Sequence, residues 1–334
     1  MEYVQLGQAG VKVSRLALGL GLRGQSNPAE AQRMIERAIN LGVNFIDCAN
    51  VYGPMDDRAN IGQSEEILAQ VLKQHRDDLV ISSKVASQIG TKPNDRGLSR
   101  YHILREVERS LDRLRTDHID IYLIHAPDQR VPLEETMRTL DDLVCSGKVR
   151  YIGCCNFAAW RVCEALWTSD KANGTPFICV QNPYSLLGRW LELEMFPLVR
   201  NQGLGIMAYS PLAVGLLSGW YHPERPAPEG SLWARHSAWD FQQLMQGTPG
   251  EVIRVLLTVA DAVGKSPAQV AMAWVLSHPE ITCAIMGGDT IAHLDENVGA
   301  VGWILDPEHK QQLDDVSAPM RNNLSAPIGP IDIG

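Results

Sequence analysis

Eight apolar, strand-like runs alternate with helical stretches along this chain, and that alternation constrains its fold more than any other feature. Strands are read at 13–18, 43–48, 79–83, 119–124, 149–153, 177–181, 204–208 and 282–286. Helices are read between them at 28–41, 64–74, 99–115, 132–146, 157–170 and 190–201, then at 250–263 and 267–277 before the last strand. Two more, at 291–299 and 307–316, follow it. The helical signal is periodic: Ile103, Leu104, Val107, Leu111 and Leu114 share one face. Asn27-Pro28-Ala29-Glu30 is a helix start, with Asn as N-cap and Pro at the first position. Alternating β and α units imply a parallel sheet with right-handed crossovers. Eight such units over roughly 300 residues imply a closed (β/α)8 TIM barrel, whose functional residues sit at the C-terminal strand ends.

The remaining segments fit around that barrel. Residues 1–12 read as a short N-terminal β-hairpin closing the barrel bottom, 211–249 as one long loop, and 319–334 as a tail rich in Pro, Gly and Ser. The composition does not shift near the middle, so residues 1–334 read as one domain. The formal net charge of -9 argues against nucleic acid or an anionic membrane as the main partner. No apolar run is long enough to span a bilayer, and Met1 to Gln5 lack the basic and apolar regions of a signal peptide. Seven scattered cysteines without metal-ligand spacing read as reduced thiols of a cytoplasmic protein.

One motif argues for a different fold. Gly19-Leu20-Gly21-Leu22-Arg23-Gly24 follows a strand, and Asp47 ends the next one, which is most of a Rossmann fingerprint. In a Rossmann turn, however, the last glycine lies within the helix that it opens. Here the capping signal comes later, at Asn27-Pro28, so the glycines fall in a separate loop.

Four side chains with chemistry sit at or just past three consecutive strands: Asp47, Tyr52, Lys84 and His125. In a parallel barrel they meet at one rim. A phenol is a poor acid, with an ordinary pKa near ~10. A neighbouring ammonium stabilises the phenolate, and a carboxylate holds that ammonium charged and in place. A histidine supplies a hydrogen bond to a carbonyl oxygen. The set is suited to protonating an oxygen as hydride reaches carbon. None of the four can deliver a hydride, so a nicotinamide cofactor is implied. Each residue also has a plainer reading: Asp47 as a cap or ion-pair residue, Tyr52 as rim packing, Lys84 as a solvated loop residue, and His125 as a core histidine. Their joint placement favours the chemical reading.

Those residues carry a resemblance that covers nearly the whole chain. Phe45-Ile46-Asp47-x-Ala49-x-x-Tyr52-Gly53 resembles the first signature of the aldo-keto reductases, and Lys84 and His125 match the other two catalytic positions. The resemblance implies Tyr52 as general acid, Lys84 as its pKa-lowering partner, Asp47 as the partner of Lys84, and His125 as the carbonyl-orienting donor. Gly153-Cys154-Cys155-Asn156-Phe157 is similar to the family's G-x-S-N-F, which implies carboxamide contacts from Cys155 and Asn156. Cysteine in place of serine weakens one of these, because a thiol is a poor donor. By the same likeness Gln181 is a second carboxamide ligand and Tyr209 stacks on the nicotinamide. Ser210-Pro211-Leu212-Ala213-x-Gly215-Leu216-Leu217-Ser218-Gly219 resembles the pyrophosphate-covering loop of the subgroup with potassium-channel β subunits and bacterial sugar and aldehyde reductases. Gly287 to Asn297 resembles the adenosine-binding segment, with Glu296 and Asn297 at the adenine-contacting positions.

Three departures bear on cofactor choice. Trp220, Asp289 and His293 stand where relatives carry Lys, Arg or Ser, and Gln. A carboxylate repels a 2′-phosphate but accepts from a 2′-hydroxyl, so Asp289 leans toward NADH against a family preference for NADPH. A plainer reading has Asp289 capping the next helix. The expected function is NAD(P)H-dependent reduction of an aldehyde or ketone, or oxidation of the corresponding alcohol or sugar. The alternatives are a nicotinamide-binding regulatory subunit and a redox-neutral sugar-modifying enzyme on the same barrel. The partner is a small carbonyl or sugar. Homo-oligomerisation is left open. Of Trp220, Trp233 and Trp239 in the long loop, at least two are expected to pack rather than to line a substrate wall.

Overall fold

The computed structural model describes residues 1–235, 241–287 and 290–322. Ten strands and twelve helices are present among them. The strands are β1 (Tyr3–Gln5), β2 (Lys12–Ser14), β3 (Leu16–Gly19), β4 (Phe45–Asp47), β5 (Val80–Val85), β6 (Ile119–Ile124), β7 (Val149–Cys155), β8 (Phe177–Pro183), β9 (Gly205–Tyr209) and β10 (Ile281–Met286). The helices are α1 (Pro28–Asn40), α2 (Gln63–His75), α3 (Arg100–Leu114), α4 (Leu133–Cys145), α5 (Ala159–Ala172), α6 (Met195–Gln202), α7 (Leu232–Arg235), α8 (Phe241–Gln246), α9 (Thr248–Val263), α10 (Pro267–Leu276), α11 (Ile291–Val298) and α12 (Pro307–Ser317). Strands β3 to β10 close into a barrel of eight, every pair parallel. The closed barrel excludes the Rossmann alternative. Gly19 to Gly24 run along its rim, and α1 starts later, where Asn27 Oδ1 accepts from the Ala29 amide at 3.0 Å.

Pleating decides what faces inward. Alternate residues of a strand point to opposite faces. Phe45, Ile121, Leu123, Cys155, Cys179, Met207 and Cys283 form the apolar interior of the barrel. Their outward neighbours, such as Ile46, Ile124, Ile152, Val180 and Ile206, pack beneath the helices. The inward series continues toward the C-terminal ends as Asp47, Lys84, His125, Gln181 and Tyr209. At the opposite end the β1–β2 hairpin adds Leu6 to the interior. The next residue, Gly7, has φ +59°, and a Cβ there would meet Gly203 O and Gly205 N at 2.6 Å. Only glycine admits that approach at the start of β9.

The long connection contains more structure than its sequence suggests, namely α7, α8 and the beginning of α9. Trp233 is buried and its indole donates to Val214 O at 3.3 Å, which ties the connection to the turn after β9. Trp220 is 59% exposed, and Trp239 lies outside the described residues. The stretch 190–201 is a short 3-10 turn, Trp190–Glu192, followed by α6 rather than a single helix.

The C-terminal helix is held by one buried cation. Arg189 bridges Glu192 at 2.6 Å, Asp314 O at 2.8 Å and Ser317 Oγ at 2.6 Å, and lies over the Trp274 ring at 5.0 Å. Burial pushes the Glu192 carboxyl up, but hydrogen bonds from Arg189, Tyr184 and Arg321 outweigh it and hold the pKa at about 2. Arg189→Met should cost about 1–3 kcal/mol in denaturant unfolding, because it removes two charge-assisted hydrogen bonds from the half-buried Glu192 carboxylate, which keeps Tyr184 and Arg321 as partners. The depressed carboxyl stabilises the fold above its unfolded pKa of about 4.3, and that stabilisation is lost as pH falls toward the folded value. The acid-induced loss of Tm over that interval should therefore be smaller in the variant. Equal acid sensitivity in the two proteins would refute the latch.

Candidate active site

Parallel register carries the charged residues to one level. Asp47 pairs with Ser82 across β4–β5, and Lys84 with Leu123 across β5–β6. Lys84 therefore lies inside β5 rather than after it, with its side chain fully buried. Its Nζ donates to Asp47 Oδ2 at 2.7 Å, to Cys48 O at 2.8 Å and to Tyr52 Oη at 3.4 Å. The second Asp47 oxygen accepts from Ser82 Oγ at 2.7 Å and from Gln181 Nε2 at 2.8 Å. His125 Nε2 lies 3.3 Å from Tyr52 Oη, and the two rings meet edge-on at 5.5 Å. The four residues thus form one connected cluster at the C-terminal rim.

Burial sets the protonation states. It opposes the charge on Lys84, but Asp47 outweighs it, with help from Tyr52, and the ammonium pKa is raised. Burial also pushes the Tyr52 hydroxyl up to about 12, more than the Lys84 charge pulls it down. Lys84 acts in the expected direction, yet desolvation of the phenolate wins. His125 is held well below the ordinary histidine value by burial, then by the charges of Lys84 and Arg23, so its imidazole is neutral at neutral pH.

The other sequence-selected residues divide by place. Asn156, at φ +62°, donates to His125 O at 2.9 Å and accepts from Tyr209 Oη at 2.8 Å. Cys155 lies fully buried in the barrel interior beside Cys179 and Met207, and burial pushes its thiol pKa up. Gln181 faces Asp47. Ser210 has φ +51°, and Ala213, Val214 and Gly215 are also left-handed. Pro211 and Leu217 are buried, and Leu212 packs against the core. Asn297 is buried and donates to Gly287 O at 3.0 Å, while His293 and Glu296 are exposed on α11. Asp289 lies outside the described residues. Ser82, which anchors Asp47, and Ser87, 3.2 Å from His125 Nδ1, were not selected from the sequence. Ser82 was within reach of it, being the inward residue two before Lys84. Ser87 sits past the strand, where no periodicity applies.

The C-terminal rim is open beside two glycines and carries unspent backbone donors. A Cβ on Gly21 or Gly287, past the ends of neighbouring strands β3 and β10, would meet nothing within 4 Å. In the 210–219 turn the Ala213, Leu216, Leu217 and Ser218 amides are spent on nearby carbonyls. Among the described residues, those of Leu212, Val214 and Gly215 meet no protein acceptor. Unspent amides in a tight turn suit an anionic group such as a phosphate. Among the described residues, no group of His, Cys, Asp and Glu could hold a metal ion, and no helix is long and apolar enough to cross a membrane.

Comparison with known proteins agrees with this geometry. Residues 15–318 match the model of the aldo/keto reductase family. The uncharacterised oxidoreductase YrpG of Bacillus subtilis is 36% identical over 95% of this chain and 96% of its own length. A probable voltage-gated potassium channel subunit beta of Arabidopsis thaliana is 34% identical over 91% and 92%. The L-glyceraldehyde 3-phosphate reductase of Escherichia coli O157:H7 is 32% identical over 90% and 88%. With a family match over most of its length and a barrel that brings Asp47, Tyr52, Lys84 and His125 together, this chain belongs to the aldo/keto reductase family.

Proposed function

We propose that this protein reduces a small, polar aldehyde or ketone, with Tyr52 as general acid. The observation that carries the reading is the chain from Asp47 through Lys84 to the Tyr52 hydroxyl, with His125 at the same oxygen. A nicotinamide dinucleotide, when bound, supplies the hydride. Tyr52 gives its proton to the carbonyl oxygen, and His125 hydrogen-bonds that oxygen and orients it. Lys84, kept charged by Asp47, stabilises the resulting phenolate until solvent returns a proton. Asn156 and Gln181, with a weaker contact from Cys155, would hold the carboxamide end, Tyr209 would stack on the nicotinamide, and the 210–219 turn would cover the pyrophosphate. Arg23, close enough for its charge to act on His125, supports an oxygenated or anionic substrate. The Escherichia coli relative, named for a phosphorylated aldehyde, agrees with that class.

We assign the cofactor as NADH. Residues 287–299 carry Asp289, Asp295 and Glu296 but neither Lys nor Arg, a poor setting for a 2′-phosphate. The likeness to a channel subunit supports a second reading, a nicotinamide-binding regulatory subunit, and slow turnover of every simple aldehyde would favour it.

Tyr52→Phe should lower kcat for aldehyde reduction by roughly 10²- to 10⁴-fold while nicotinamide fluorescence titration shows unchanged binding. Full activity in that variant would remove Tyr52 from its role. NADH should bind at least about tenfold more tightly than NADPH, about 1.4 kcal/mol. The reverse order would mean that cations elsewhere meet the phosphate. The acid form of Tyr52 exists below its pKa of about 12. Reduction should therefore be flat from about pH 6.5 to 9, while alcohol oxidation, which uses the phenolate, climbs over the same span. A reductive inflection near neutrality would assign the proton to another group.

A further inference from the structure

The four-residue cluster leaves one matter open: which nitrogen of His125 carries its proton. A neutral imidazole has one donor and one acceptor nitrogen, and the partner of each decides which is which. His125 Nε2 faces Tyr52 Oη at 3.3 Å, and Nδ1 faces Ser87 Oγ at 3.2 Å. Both rings of contacts are shielded, since Ser87 is 5% and His125 7% exposed.

The backbone is arranged to bring Ser87 there. The residue before it, Ala86, has φ +136°, where side chains other than glycine are strained. That conformation is pinned on both sides, by the His125 amide on Val85 O at 2.8 Å and the Gly97 amide on Ala86 O at 2.7 Å. The chain leaving β5 thus turns sharply and sets the serine against the imidazole. Among the described residues, His125 Nδ1 is the one group within hydrogen-bond reach of the Ser87 hydroxyl.

We infer that Ser87 is a positioning residue that donates to His125 Nδ1 and so fixes the Nε2–H tautomer. This role rests on the reductase reading of the site. In the opposite tautomer the Ser87 proton would have no acceptor, and an unmet buried donor is costly. His125 Nε2 would also draw the Tyr52 proton toward itself. With Ser87 donating, Nε2–H and the Lys84 ammonium, 3.4 Å away, both donate to the Tyr52 oxygen. The phenolic proton is then left to point out of the cluster, toward a carbonyl, and Nε2–H is ready to share that carbonyl oxygen.

Long-range ¹H–¹⁵N spectra of protein labelled at histidine nitrogens, with His125→Gln used for assignment, read the tautomer without any substrate. Wild type should show His125 as Nε2–H, Ser87→Ala should show a mixed or Nδ1–H pattern, and Ser87→Thr should restore the first. Reductive kcat should fall roughly 10- to 100-fold in Ser87→Ala and recover in Ser87→Thr, with NADH affinity unchanged. An Nδ1–H signal in wild type overturns the inference, whether or not any variant folds. So does a Ser87→Ala spectrum identical to wild type. If the tautomer responds to Ser87 but Tyr52→Phe reduces aldehydes as well as wild type, Ser87 keeps its hold on His125 and the assignment of Tyr52 as acid fails instead.

Discussion

A fully buried ammonium at the mouth of the barrel is the constraint on which the rest of this structure depends. Moving Lys84 and Asp47 out of water costs several kcal/mol per ion, and their attraction offsets it only if the remaining hydrogen bonds are also met. Here they are. Lys84 donates to a carboxylate, a carbonyl and a phenol, and Asp47 accepts from the lysine, a serine and a glutamine. These partners come from β4, β5, β8 and the segment after β4. A register slip of one residue in any of those strands would turn the side chain to the other face and leave a buried charge alone.

A second polar layer lies outside the same strands. Ser83, the outward neighbour of Lys84, donates to Glu65 at 2.6 Å, and Glu65 is held by Arg113 at 2.7 Å. Asn50, two residues before Tyr52, donates to the buried Glu106 at 3.3 Å, which Arg105 and Arg109 neutralise. The Asn50 bond ties the loop carrying Tyr52 to α3, the Ser64 amide on Tyr52 O at 3.2 Å ties it to α2, and Glu65 joins β5 to both helices. Strain is concentrated on the same side of the barrel: Met55, Ala86, Asn156, Ser210, Ala213 and Val214 all have positive φ, and all follow the ends of strands. Non-glycine residues hold such conformations only where the surroundings impose them, and such sites cluster where ligands are handled.

Much of this was legible from the residues alone. Apolar runs and period-3.6 patterns located the barrel strands and the helices that alternate with them to within a few residues, although the run 13–18 divides between the hairpin strand β2 and the barrel strand β3. Asp47, Tyr52, Lys84 and His125 stood out because strand ends are positions that a parallel barrel brings to one rim. The two strongest local motifs behaved differently. Asn27-Pro28 capped α1 as its chemistry requires, whereas Gly19 to Gly24 did not become a phosphate-binding helix start. Closure of the sheet placed those glycines on a rim instead. The short helices α7 and α8 carry no long apolar period and depend on packing, as Trp233 shows by reaching back to Val214.

The sequence by itself determined the barrel and the membership of its reactive cluster, because hydrophobic patterning and the alternation of elements along the chain are local properties that survive without coordinates. Only the tertiary structure decided what those groups do to one another. Burial, which is not encoded in spacing, outweighs the Lys84 charge and holds the Tyr52 proton more tightly than the residue types suggest. Cys155, aligned with a cofactor ligand by its motif, lies within β7, which runs one full pleat further than its apolar run and turns the thiol into the barrel interior. Ser87 belongs to no motif. It reaches His125 through the backbone angle of Ala86, and such an angle is set by the hydrogen bonds of neighbouring strands rather than by alanine itself.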